Sequence, residues 1–361
     1  MRIAIITIHN SSNYGANLQA YALQKYLMNI GYNAEIVNYD NKHMSKGLDL
    51  IRFGFNKYEI YYFLLDLKNI FKRKNMIKKF NEFSKKYLNL SQLYTKEELI
   101  QKKYKDVDCY ISGSDQIWNP YVTEGKVDSV YFCCMAKKSE RVISYASSCG
   151  GYDFNNEEYN EQIKQQLEKY YRISTRENNY IKKLSYLTNK NITKVLDPVF
   201  LLYKDDWISA LNISKQYKKP YILIYAMAKH NKIINLVTEY YKNSNYDIIM
   251  INEPMFKQKN IHYVIDAGPR EFVELFYNAD RIVTNSFHGL AFSLIFQKQF
   301  SVINNARNMN RIYDLLNEVG AMESLSEEDN LKETIINYDI VNNRMDELID
   351  KSKKFLREAL E

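Results

Sequence analysis

Apolar residues along this chain recur in two rhythms that alternate from the start. Residues 3–8 (Ile-Ala-Ile-Ile-Thr-Ile) form an uninterrupted run rich in β-branched side chains, as expected of a strand buried on both faces. Leu18, Ala22, Tyr26 and Ile30 then recur at helical spacing, Gly31 closes that helix, and residues 34–39 return to strand. This β–α–β opening predicts a parallel sheet flanked by helices. Residues 46–90 change the pattern to an aromatic and basic helical stretch, predicted as a helical insertion. Thr95-Lys96-Glu97-Glu98 has the form of a capping box that starts another helix. Strands follow at 109–112, 142–146 and 172–174, with helices at 157–171 and 177–187. A second alternating series begins near Asp197-Pro198. Its strands fall at 221–225, 248–251, 263–265, 282–284 and 301–303, and its helices at 231–242, 270–277, 290–296 and 312–318. A polar-faced helix over 341–360 is expected to pack back across both halves.

The pattern predicts an α/β protein of two Rossmann-like domains facing a central cleft. The expected boundaries are 1–195 for the N-terminal domain, with its insertion at about 46–90, 196–335 for the C-terminal domain, and 336–361 for the returning helix. Ligands in such sheets bind at the carboxyl ends of strands, and a cleft between two α/β units suits a transferase.

Composition narrows the class. Of 361 residues, 46% are hydrophobic and 26% charged, with only 11 Gly and 5 Pro, which excludes a disordered or collagen-like chain. The formal net charge of +7 suits anionic small substrates, an acidic membrane surface or nucleic acid. With no nucleic-acid motif present, no nucleic-acid partner is expected. Cys109, Cys133, Cys134 and Cys149 lack metal-ligand spacing and fit a reducing compartment. The first apolar run and the stretch at 60–65 are both too short to span a bilayer. A cytoplasmic protein is expected.

Candidate chemistry gathers where predicted strands end. The run 284–289 (Thr-Asn-Ser-Phe-His-Gly) joins a buried strand to an apolar helix. A helix start presents backbone N–H groups and partial positive charge, which favour phosphate or carboxylate. Ser286 can cap this helix, Gly289 lets a ligand approach the backbone, and His288 adds a proton donor; the plain alternative is a histidine that finishes a turn. At the first strand-to-helix turn, Asn13, Tyr14 and Asn17 offer amides and a hydroxyl to a sugar or anion, or simply shape the turn around Gly15. In 112–119 (Ser-Gly-Ser-Asp-Gln-Ile-Trp-Asn), Asp115, Gln116 and Trp118 combine a carboxylate, an amide and an indole that suit carbohydrate. Asp115 could take a proton from an attacking hydroxyl, while the alternative is a turn with Trp118 in the core. Arg176, in Ser-Thr-Arg-Glu at 174–177, could fork onto a carboxylate or phosphate. Cys149 has no evident histidine partner and is a poor candidate nucleophile.

Taken together, NYGANLQAYALQKYL at 13–27, SGSDQIWN at 112–119, SYASSCGG at 144–151, STREN at 174–178, LDPVFLL at 196–202 and TNSFHGLAFSLIF at 284–296 resemble the polysaccharide pyruvyl transferases in order and spacing. The resemblance implies a fold similar to the glycosyltransferase-B architecture. It further implies phosphoenolpyruvate as donor, a sugar unit of a surface polysaccharide, capsule or cell-wall precursor as acceptor, and transfer of pyruvate as a ketal with release of phosphate. By the same resemblance His288 binds the donor and acts as acid, and Arg176 seats its carboxylate or phosphate. Arg307 or Arg311 would supply a further cation. No metal and no cofactor beyond the co-substrate are expected. The alternatives are a nucleotide-sugar glycosyltransferase of the same architecture and a non-catalytic sugar- or membrane-binding relative. Residues 71–87 also place Met76, Ile77, Phe80, Phe83 and Tyr87 on one helix side, with lysines elsewhere. That pattern fits a surface helix packed on the domain, or one resting on the inner face of an anionic membrane near lipid-linked acceptors.

Overall fold

A computed structural model describes residues 1–53, 57–217, 219–252, 257–304 and 309–361. Its strands in chain order begin with β1 (Arg2–Ile6), β2 (Asn33–Tyr39), β3 (Leu90–Tyr94), β4 (Cys109–Ser112), β5 (Arg141–Ser144), β6 (Ile173–Thr175) and β7 (Ile192–Lys194). The later strands are β8 (Tyr221–Tyr225), β9 (Asp247–Ile251), β10 (Ile261–Val264), β11 (Arg281–Thr284), β12 (Gln299–Ile303) and β13 (Leu325–Ser326). The chain divides into two compact units, 1–52 with 81–202 and 347–361, and 53–80 with 203–346.

The first unit carries a parallel sheet in the order β3-β2-β1-β4-β5, with the parallel pair β6–β7 beside it. β1 is central and covered on both faces, so its Ile-Ala-Ile-Ile run has no polar side. The Tyr14–Asn29 helix that follows is buried nearly all round. Asn13 caps it by accepting from the Ala16 N–H, and Gly31, at φ +93°, ends it. Thr95 and Glu98 form the expected reciprocal capping box at Lys96–Ile100.

The second unit carries six parallel strands in the order β10-β9-β8-β11-β12-β13. Its core is strongly aromatic. Phe292 meets Trp207, Phe272 and Phe276 at ring separations of 5.2, 5.7 and 6.1 Å, and Tyr225 packs edge-on to Phe272 at 4.9 Å. These contacts tie the Phe287–Ile295 helix to the Lys204–Leu211 and Pro269–Asn278 helices.

The helical stretch differs from its expected assignment to the N-terminal half, because residues 53–80 group with the second unit. Asn75 there donates to Asp266 at 2.7 Å, and Lys79 lies so near Gly268 that a Cβ at Gly268 would meet its Cβ at 2.6 Å. From residue 81 the same Ile70–Tyr87 helix groups with the first unit, where Phe83 and Tyr87 pack on Tyr21. Of its apolar stripe, Phe80 and Phe83 are buried, which takes those two out of any membrane contact, while Met76, Ile77 and Tyr87 are half-buried. Arg73 is also buried, against Asp66 at 3.5 Å. Among the described residues no helix is long and apolar enough to cross a membrane.

Candidate functional site

In an open parallel sheet, ligands gather where strand order reverses, at the carboxyl ends of the strands. That point lies between β1 and β4 in the first unit and between β8 and β11 in the second.

At the first, four sequence segments converge on Arg176, which is 6% exposed. Its guanidinium donates to Asp197 at 2.6 Å, to Ser114 Oγ at 3.3 Å and to Glu177 at 3.3 Å, and lies 3.5 Å from Asp115. Burial by itself would lower its pKa, but Glu177, Asp197 and Asp115 outweigh burial and raise it. Ser148 donates to Glu177 at 2.5 Å, and Ser147 donates to the Ser112 and Gly113 carbonyls, tying in the fourth segment. Gly113 is required here, since a Cβ would meet Thr7 Cβ at 2.9 Å. Three carboxylates thus surround one buried guanidinium.

Asp115 sits at φ +78°, outside the comfortable range of a side-chain-bearing residue, with 16% of its side chain exposed. Its carboxylate accepts from the Gln116 N–H at 2.8 Å, and Gln116 beside it is half-buried. Trp118 is corrected as a sugar platform. It is 1% exposed, stacks on Phe132 at 5.3 Å and donates its indole N–H to Ser112 Oγ at 3.1 Å. Tyr14 and Asn17 are likewise buried; the Asn17 amide is spent on the Ser11 and Asn13 carbonyls, and only Asn13 is exposed. Burial, then Glu177, raise the Cys149 thiol well above its ordinary pKa, which leaves it a poor nucleophile.

One polar residue of this region has no place in the expected set. His9, just past β1, is buried, its ring nitrogens 3.1 Å from the Thr7 carbonyl and 3.2 Å from Asn38 Oδ1, and burial lowers its pKa. It borders a pocket of about 10 Å³, also lined by Thr7, Asn10, Tyr39, Asn41 and Tyr131, which is room for about one water and too small for a sugar.

At the second switch point Asn285 stitches the strand ends together. It accepts from the Met227 N–H at 2.8 Å and donates to the Ala228 carbonyl at 2.9 Å. Thr284 Oγ1 donates to the Tyr225 carbonyl at 2.6 Å and accepts from the Ser286 N–H at 3.0 Å. One expectation is corrected here, since Ser286 makes no side-chain cap to the Phe287–Ile295 helix. At Gly289 a Cβ would lie 2.1 Å from Thr284 Oγ1, so the close packing of helix on strand requires glycine.

His288 stands half-buried in the first turn of that helix, 5.4 Å from the Phe287 ring, and the Arg311 guanidinium lies over the same ring at 5.4 Å. The structure thus brings His288 and Arg311 to one half-buried aromatic side chain, Phe287, that sequence reading did not single out. Arg307 lies outside the described residues. His230, another omission, follows β8 with Nε2 2.8 Å from the Ala226 carbonyl. Among the described residues no group of His, Cys, Asp or Glu is arranged to hold a metal.

The family model described as polysaccharide pyruvyl transferase matches residues 13–307. No curated protein matches the chain in sequence. Among solved structures, UDP-GlcNAc 2-epimerase from Methanocaldococcus jannaschii is 13% identical with a TM-score of 0.52, covering 97% of this chain and 93% of its own. UDP-N-acetylglucosamine 2-epimerase from Rickettsia bellii is 14% identical with a TM-score of 0.51, covering 100% and 96%. At that identity the likeness shows the fold, one of the glycosyltransferase-B kind.

Proposed function

The chain belongs to the polysaccharide pyruvyl transferase family, and on that premise we propose that it moves pyruvate from phosphoenolpyruvate onto two hydroxyls of a sugar unit, closing a cyclic ketal and releasing phosphate. A proton added to the donor's methylene carbon makes the adjacent carbon electrophilic. One hydroxyl attacks it, phosphate leaves, and the second hydroxyl completes the ketal. The donor carries two anionic groups, and the observation that best supports this reading is the pairing of His288 and Arg311 about Phe287 at a helix start. The helix start and Arg311 suit a carboxylate or phosphate, and His288 suits the proton transfer. In the first unit Asp115 and Gln116 keep accessible surface, and we assign them to acceptor hydroxyls, with Asp115 taking a proton. Arg176 would hold Asp115 in place rather than touch the donor.

Calorimetric titration and phosphate release test this together. Phosphoenolpyruvate should bind, UDP-hexose should not, and activity should survive EDTA. His288→Ala should lower phosphate release with donor and acceptor by roughly 100- to 10,000-fold while Tm stays near that of the parent. Near-parental release would remove His288 from the mechanism. Binding of UDP-hexose without phosphoenolpyruvate would replace this reading with nucleotide-sugar glycosyl transfer.

A further inference from the structure

The helix covered along one side at Phe80 and Phe83 exposes a different apolar line on the turns before it. The Asn69 N–H donates to the Leu65 carbonyl and the Arg73 N–H to the Asn69 carbonyl, so helical hydrogen bonding runs on from Lys57–Lys68 into Ile70–Tyr87. Asp66, Arg73 and Phe80, seven residues apart, form its buried side. Ile60, Leu64, Leu67 and Phe71 recur at four-, three- and four-residue steps on the opposite side and are 49, 60, 43 and 86% exposed. Four large apolar side chains in one open line are unusual on a soluble surface and mark a contact site. Lys68 and Lys74 flank this line and Lys78 continues it, all exposed, and residues 68–79 contain no acidic residue.

We infer that this face rests on an anionic lipid bilayer, with Leu64 and Phe71 entering the headgroup boundary and the lysines meeting lipid phosphates. An apolar stripe edged with lysine is the composition of helices that lie in a membrane interface. The inference is independent of which group the protein transfers.

Sedimentation of the full chain with vesicles tests it, comparing phosphatidylcholine alone with phosphatidylcholine–phosphatidylglycerol mixtures at low and high salt. The protein should pellet with the anionic vesicles at low salt and be released at high salt. Lys68→Gln with Lys74→Gln should reduce partitioning by on the order of 20- to 30-fold, about fivefold per charge. Leu64→Ser with Phe71→Ser should abolish it with circular dichroism and Tm unchanged, since both side chains are open to solvent. Failure to pellet with anionic vesicles, or pelleting that both variants leave unchanged, would overturn the inference. So would self-association in analytical ultracentrifugation that the apolar variant removes while vesicle binding persists.

Discussion

Arg176 shows that one side chain's place in a sequence does not name its partners. A strand-end arginine in Ser-Thr-Arg-Glu suggests a hand held out to an anion, and this one also meets Asp197, Glu177 and Asp115. Removing one partner of a buried ion cluster leaves uncompensated charge, so Arg176→Met should cost about 3–5 kcal/mol, read as a lowered midpoint in urea unfolding. Arg176→Lys should also lose stability, because an ammonium cannot reproduce a planar fork aimed at three carboxylates. If both variants unfold like the parent but bind phosphoenolpyruvate more weakly, the arginine does face the donor. The location of the polar network at strand ends was legible in the sequence; the direction of its donors was not, because spacing reports which end of a sheet a residue occupies and not what fills the space around it. Trp118 failed for the same reason, since an indole among polar neighbours reads equally as platform or core. His9 and His230 were passed over because a single histidine after a strand carries no distinctive spacing.

At the scale of elements, the strands buried on both faces were plain. Cys109–Ser112 and Tyr221–Tyr225 stand where the apolar runs place them, because continuous burial leaves continuous apolar sequence. β3, β7 and β13 were missed. Leu-Ser-Gln-Leu-Tyr lies at a sheet edge with mixed burial, and the other two strands have three and two residues, too few to show a period. The helix over 71–87 had its apolar side correctly grouped, but the pattern could not say that protein covers Phe80 and Phe83 on that side while the preceding turns stay open. The junction of β11 with its helix yields a sharper expectation. Gly289→Ala drives a methyl into Thr284, and overpacking of this kind typically costs about 1–3 kcal/mol. Thr284→Ala alone loses the bonds to Tyr225 and Ser286, so combining the two should destabilise less than the sum of the singles. Strict additivity in a thermal-unfolding cycle would show that glycine is there for another reason.

On the scale of the whole molecule, three of the five histidines (His9, His230 and His288) directly follow the strands β1, β8 and β11 that border the switch points. Of these three only His9 is buried, and its stability effect has a definite sign. Its pKa is lowered from an ordinary 6.5, so between the two values the unfolded chain binds more protons than the folded one and stability falls as pH drops below 6.5. The parent's Tm should therefore decline more steeply than that of His9→Gln on the acid side; parallel profiles would mean His9 is not held neutral by the fold. The division of the chain also carries a consequence in time. Both units are assembled from pieces distant in sequence, and the first receives residues 347–361. There the Ser352 hydroxyl accepts from the Leu196 N–H, Phe355 packs on Tyr145, and the Ala359 carbonyl accepts from Arg141. In the order of synthesis the strands of the first unit thus precede residues 347–361, and until that later helix is made the earlier sheet waits without the contacts that complete its unit.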